Sequence, residues 1–226
     1  SGPALNAELS LISSAKTHTA QIMICAVCSL PPGHGVPRSH VSSDHRCVFV
    51  GFNTVCAESA RVPCGVRGYF EVEIERCVGL VQLGWVGAVE AVNEYSGVGV
   101  GDDETSWGVD GIRVQKWHGC GGDAYEIARK WRDGDVICCA ADLATGDLLF
   151  ALNGDWEGPD VRAFSGIDIP TDGLAPACSG GRGFSCVFNL GDRAWRYAPP
   201  PGYRGAHDFW LARKAGLQTA PAPMMI

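Results

Sequence analysis

No stretch of this chain is apolar for long enough to cross a bilayer. The longest, Ile22 to Leu30, is interrupted and falls well short of the roughly 20 residues a spanning helix needs. No basic flank precedes it, as a secretory signal would require. A long basic run is missing as well, and the formal net charge is −7, which argues against a nucleic-acid partner because neutralising phosphates takes clustered Lys and Arg. Charge of either sign is sparse: 19% of residues are charged against 46% hydrophobic, a balance that favours a buried core over disorder. Catalytic signatures are absent too. There is no Gly-x-Ser-x-Gly elbow. Ser96 to Gly101 is glycine-rich, but has neither the P-loop's Gly-Lys-Ser/Thr nor the helix that a dinucleotide fingerprint opens. The Asp and His residues stand at spacings that place no base beside a nucleophile. The sequence therefore reads as a non-enzyme with no catalytic residues and no cofactor.

Regular cysteine spacing is also lacking. Eleven cysteines is an odd number, and Cys138, Cys139 and Cys186 lie in apolar contexts where a free thiol acts as a small hydrophobe. A secreted disulfide scaffold would be shorter and more evenly spaced, so the expected compartment is the reducing cytoplasm. Cys25-x-x-Cys28, followed by His34, His40, His45 and Cys47, has the residue types of a zinc site. However, the first pair sits inside an apolar run and His45-x-Cys47 is too tight for a knuckle, so core packing is the better reading and no metal is expected. Gly101-Asp102-Asp103-Glu104 lacks the alternating oxygen ligands of a calcium loop. It reads as a turn, and Asp110 and Asp142 read as turn-fixing residues.

What the sequence does contain is centred on Lys130 to Leu152. Trp131-Arg132-Asp133-Gly134-Asp135 is a turn signal. Val136 to Leu143 is apolar on both faces, as suits a strand covered on two sides. Ala144 to Asp147 reverses the chain, Leu148, Phe150 and Leu152 alternate inward on the return, and Asn153-Gly154 fits a type I′ turn. Two consecutive hairpins at the centre of an antiparallel sheet result. Phe70, Val72 and Ile74 alternate with outward Glu71, Glu73 and Glu75, and Val81, Leu83 and Trp85 form a second alternating strand. Val48, Val50 and Phe52 mark the first strands. Between Gly87 and Lys130 strands must be short, and 154 to 173 is a long connection. Asp208 to Lys214 reads as a terminal helix capped by His207 or Asp208, and residues 4 to 30 as a helix or strand packing on the main domain. No internal repeat occurs. Many short strands with glycine-rich turns predict an all-β fold, an antiparallel two-sheet β-sandwich.

Six motifs in order sharpen this. They are Gly68-Tyr69-Phe70-Glu71-Val72, Val81-Gln82-Leu83-Gly84-Trp85, Gly99-Val100-Gly101-Asp102-Asp103 with Ser106-Trp107-Gly108-Val109-Asp110-Gly111, Trp131 to Ile137 with the 142–154 hairpin, Leu174-Ala175-Pro176-Ala177, and Phe188-Asn189-Leu190-Gly191. Together they resemble the SPRY (B30.2-like) domain, and Lys116-Trp117-His118 and Pro199 to Tyr203 are most similar to the versions in giant ubiquitin ligases and ryanodine receptors. The resemblance implies a concanavalin-like jelly roll over 38–204, with an N-terminal extension at 1–37 and a C-terminal one, helical in part, at 205–226. It implies a protein-interaction module within a larger multidomain chain, binding a peptide or partner loop without membrane insertion or nucleic acid. In a ubiquitin ligase it would recognise substrates. Such domains bind through loops at the ends of the sheets, here Glu90–Ser96 and Ser179–Gly183. Aromatic and Arg side chains dominate interface energetics, which makes Asn93, Tyr95, Trp117, Trp156 and Arg182 the candidate contacts, whereas Trp85, Trp107 and Trp131 belong to core motifs. An intramolecular packing domain and a lectin-like small-ligand binder are the alternatives.

Overall fold

The computed structural model describes residues 39–87, 98–125, 129–158 and 160–217. Their strands are β1 (Ser39–Val41), β2 (Arg46–Phe49), β3 (Asn53–Cys56), β4 (Arg67–Arg76), β5 (Val81–Val86), β6 (Ser106–Asp110) and β7 (Gln115–His118). They continue with β8 (Gly121–Ala124), β9 (Val136–Asp142), β10 (Asp147–Leu152), β11 (Arg162–Phe164), β12 (Ala175–Gly180), β13 (Ser185–Asn189) and β14 (Arg204–Gly205). One helix, α1 (Ala206–Lys214), follows. An eight-stranded sheet runs β1-β2-β13-β4-β9-β10-β11, with β14 beside β4, and a six-stranded sheet runs β3-β12-β5-β6-β7-β8. Every pairing is antiparallel except the two-residue β14. The chain is the two-sheet β-sandwich that its strand periodicity implies.

The two inner faces make one core. Phe70, Val72 and Ile74 of β4, Ile137 and Cys139 of β9, and Leu148, Phe150 and Leu152 of β10 meet Val81, Leu83 and Trp85 of β5 and Trp107 and Val109 of β6. The Phe70 ring lies edge-on to Trp85 at 4.9 Å and stacks on Phe188 at 5.9 Å. All seven residues of β9 are buried because its outer face is covered as well. There Val136, Cys138 and Ala140 sit with Tyr69 beneath Trp156, Trp195, Tyr197 and Tyr203. On the other sheet, Val100 covers Cys56, Val86, Ala175 and Ala177, held by a hydrogen bond from Val100 N–H to Ser179 Oγ (2.8 Å). Gly101 makes that crossing possible: its φ is +96°, and a Cβ would fall 2.4 Å from the Trp117 carbonyl oxygen.

Trp85, Trp107 and Trp131 are buried as their motifs imply. The acidic turns are bound as turns: Asp102 accepts from Gly99 N–H, Asp103 from Thr105 N–H, Asp110 from Ile112 and Arg113 N–H, and Asp142 from Ala144 N–H.

Five local expectations are corrected. Of Val48, Val50 and Phe52 only Val48 lies in a strand: β2 stops at Phe49 with Cys47 and Phe49 inward, and the chain turns before Asn53. Glu71 points outward but is buried, since the segment 194–197 folds over it. The 154–173 connection contains β11, which pairs with β10. Asn153 and Gly154 do adopt φ of +53° and +75°, but the turn they make leads into this longer connection rather than closing a two-residue hairpin. Helix α1 begins at Ala206 with no side-chain cap; His207 N–H donates to the Leu190 carbonyl instead. The 4–30 segment lies outside the described residues.

Candidate functional site

At one end of the sandwich three connections converge: Val50–Phe52 between β2 and β3, Cys77–Leu80 between β4 and β5, and Gly181–Phe184 between β12 and β13. The register brings them together, because Gly180 at the end of β12 pairs with both Asn53 of β3 and Val81 of β5. Backbone hydrogen bonds then fasten the loops: Gly181 N–H donates to Leu80 O (2.7 Å) and Gly183 N–H to Phe49 O (2.8 Å). Phe184 anchors the turn in the core, with its ring 5.6 Å from Phe49. Gly183 has a φ of +90°, and a Cβ there would sit 3.1 Å from Val78, so this turn depends on glycine. The result is a rigid rim with Arg182 at its tip, flanked by Leu80 on one side and Val50 on the other.

Among the described residues the large hydrophobic side chains left exposed are Val50 (40%), Leu80 (43%) and Leu217 (65%), and the first two lie on this rim. The three loops contain no Asp or Glu. Their one charged residue, Arg182, is exposed and has no acidic side chain in ion-pair reach among the described residues. The neighbouring Asp133 accepts a hydrogen bond from Cys77 N–H (2.6 Å). Burial, reinforced by Asp133, pushes the Cys77 thiol up to about 11, so it stays protonated and uncharged.

The other sequence candidates do not gather at this rim. Trp117 stands on the outer face of the six-stranded sheet, half-buried, with the Arg113 guanidinium 4.2 Å over its ring. Trp156 lies on the opposite outer face, 6.2 Å from the Tyr69 ring, and its indole N–H donates to Ala198 O. Asn93, Tyr95 and the Glu90–Ser96 loop lie outside the described residues. Of the candidates that the structure places, Arg182 alone occupies the rim. Sequence reasoning missed Val50 and Leu80. The available signal was a bulky aliphatic beside a turn glycine, Val50-Gly51 and Gly79-Leu80.

A concavity of about 200 Å³ opens elsewhere, on the outer face of the eight-stranded sheet between Glu73, Val136, Val187 and Arg196. Its deepest carboxylate, Glu71, is already occupied by Tyr69 Oη–H, Asn189 Nδ2–H and the N–H groups of Arg196 and Tyr197. Among the described residues no group of His, Cys, Asp and Glu is placed to hold a metal ion.

Val50 and Leu80 thus lie, exposed, on loops at one end of a two-sheet sandwich. The family model of the SPRY domain matches residues 67–193, more than half of the chain, and the chain belongs to that family. SPRY domains are protein-interaction modules. A relative, the E3 ubiquitin-protein ligase RKP of Arabidopsis thaliana, is 36% identical over 137 residues, covering 60% of this chain and 10% of that protein. The chain therefore spans about a tenth of the length of that relative.

Proposed function

We propose that this chain is a non-catalytic recognition domain that docks a short peptide or partner loop on the rim formed by Val50, Leu80 and Arg182. The observation that carries the reading is the coincidence, on hydrogen-bonded loops, of exposed aliphatic side chains and an Arg that has no acidic partner among the described residues. Desolvating apolar area at small entropic cost is what a preformed surface offers a ligand. Docking needs little rearrangement of the sandwich, since the rim loops are tied to strand ends. The likeness to a ubiquitin ligase supports a substrate-selecting role inside a longer chain. Nine described cysteines are free thiols, which supports a reducing, cytoplasmic setting.

A second reading is favoured by the same exposed aliphatics: the rim packs against another domain of its own parent chain. Sugar stacking is disfavoured, because Arg113 covers the Trp117 face and Trp156 is packed on Tyr69. An affinity capture with the full 226-residue chain, run beside a Leu80→Ser/Arg182→Ala variant of unchanged melting temperature, tests the proposal. A partner retained by the wild type and lost by the variant supports it. Equal capture by both moves the site off the rim, and no capture at all favours the packing domain.

A further inference from the structure

We infer that the rim selects ligands in which an acidic side chain is flanked by large apolar ones, an inference that rests on the recognition role proposed above. The argument is one of charge and spacing. The protein as a whole is acidic, with a net charge of −7, yet the three rim loops hold no acid and a single cation. The arginines elsewhere in the sandwich are largely committed. Arg46 pairs with Glu75, Arg61 with Glu58, Arg67 with Asp142, Arg113 with Asp110 and Arg129 with Asp135. Arg182 has no such partner among the described residues, and the N–H groups of the glycines on either side of it, Gly181 and Gly183, are pinned by Leu80 O and Phe49 O.

A guanidinium presented this way offers a planar fork of donors matched to a carboxylate. Leu80 and Val50 stand on either side of it, each bonded through its own segment to one end of the turn, so the aliphatic contacts bracket the cation. An extended segment reading apolar–acidic–apolar meets all three groups in order. A basic residue at the centre would face Arg182 directly and be rejected, which gives the rim specificity by repulsion as well as attraction. Desolvation by the flanking apolar side chains lowers the local dielectric and strengthens the charge contact beyond that of an open surface pair.

The test is selection of a random heptapeptide phage library on the full chain, in parallel with Arg182→Glu and Leu80→Ser, both exposed positions whose variants are first checked for an unchanged melting temperature. The expected result is enrichment of Asp or Glu between large apolar residues on the wild type. Arg182→Glu then exchanges that central preference for Lys or Arg. A synthetic peptide from the wild-type selection loses about tenfold in affinity when its acid is replaced by the matching amide, and a similar factor on Leu80→Ser. Peptides that lack an acid, depend on Leu80 and bind Arg182→Glu equally well overturn the inference while leaving the recognition surface in place. Peptides indifferent to both substitutions, or no enrichment at all, remove the rim reading and the inference together.

Discussion

Glu71 shows what a single buried charge does in this protein. It lies on the outer face of the central strand β4, only 3% exposed, and collects four donors, two of them backbone N–H groups of the 194–197 segment. The carboxylate therefore fastens the C-terminal part of the chain to the sheet. Glu71→Ala leaves the N–H groups of Arg196 and Tyr197 without an acceptor, each at a cost of about 1–3 kcal/mol if no water replaces it, whereas Tyr69 Oη–H and Asn189 Nδ2–H keep the Tyr197 and Ala194 carbonyls. A total loss of about 3 kcal/mol or more is expected in urea unfolding, with Glu71→Gln losing less. Equal midpoints for wild type and Glu71→Ala would show the clamp to be dispensable. Asp135 gives a pH dependence. Burial alone would raise its pKa, but hydrogen bonds from Arg129, Asn153 and Arg132 N–H outweigh that and hold it below the usual 3.8. A carboxylate depressed on folding stabilises the fold above its unfolded pKa, and that stability is lost as pH falls through the folded value. Asp135→Asn should accordingly cost about 1–3 kcal/mol at pH 7, and the gap from wild type should close in melts below about pH 4. A gap independent of pH would assign the effect to packing instead.

At the scale of elements, α1 is held less by its own sequence than by what it touches. At nine residues it is too short to be stable alone in water. Phe209 enters the core fully buried, and Arg213 donates to the Arg61 and Ser59 carbonyls, tying the helix to the 58–61 turn. Asp208 in its first turn and Arg213 and Lys214 in its last suit the helix dipole. Phe209→Ala should cost about 3–5 kcal/mol, the usual range for a buried aromatic, and should raise hydrogen exchange in 206–214 before it does so in β9. Protection lost evenly across both would mean that the helix is not a separable layer. Among strands, the pattern was readable where the core-facing side chains are apolar over several residues, as in β4, β5, β9 and β10. It was not readable in β2, where one residue decides which side faces the core, since a one-residue slip exchanges the faces.

Across the whole molecule the thiols report on the packing of both sheets. Cys47, Cys139 and Cys186 face the core, and their pKa values are raised well above 9.0, Cys47 by a hydrogen bond with Cys186 and by burial, the other two chiefly by burial. Cys64 and Cys120 are exposed. Among the nine described cysteines, site-resolved alkylation of the native protein near pH 8 should modify Cys64 and Cys120 first, with Cys47, Cys139 and Cys186 reacting only under denaturant. Native labelling of Cys139 at the rate of Cys64 would contradict a closed sandwich core. The same scale explains what was legible in the candidate site. Arg182 stood out because glycine on both sides marks a turn and Arg is a frequent anchor. Trp117 and Trp156 stood out as aromatic anchors between polar residues, yet the sheets carry them to opposite outer faces, and spacing along the chain holds no record of which sheet a strand will join.

The strand periods, the glycine turns at Gly134 and Gly146, the apolar set that fills the core and the SPRY motif order are all written in the order of residues. These are local properties, set by side-chain alternation and by backbone angles that only certain residues adopt. The tertiary structure alone decided that Glu71 would be covered and that Val50 and Leu80 would be left outside beside Arg182. Those outcomes depend on contacts between residues more than a hundred positions apart. The pairing of β12 with both β3 and β5 is what brings the three loops to one rim.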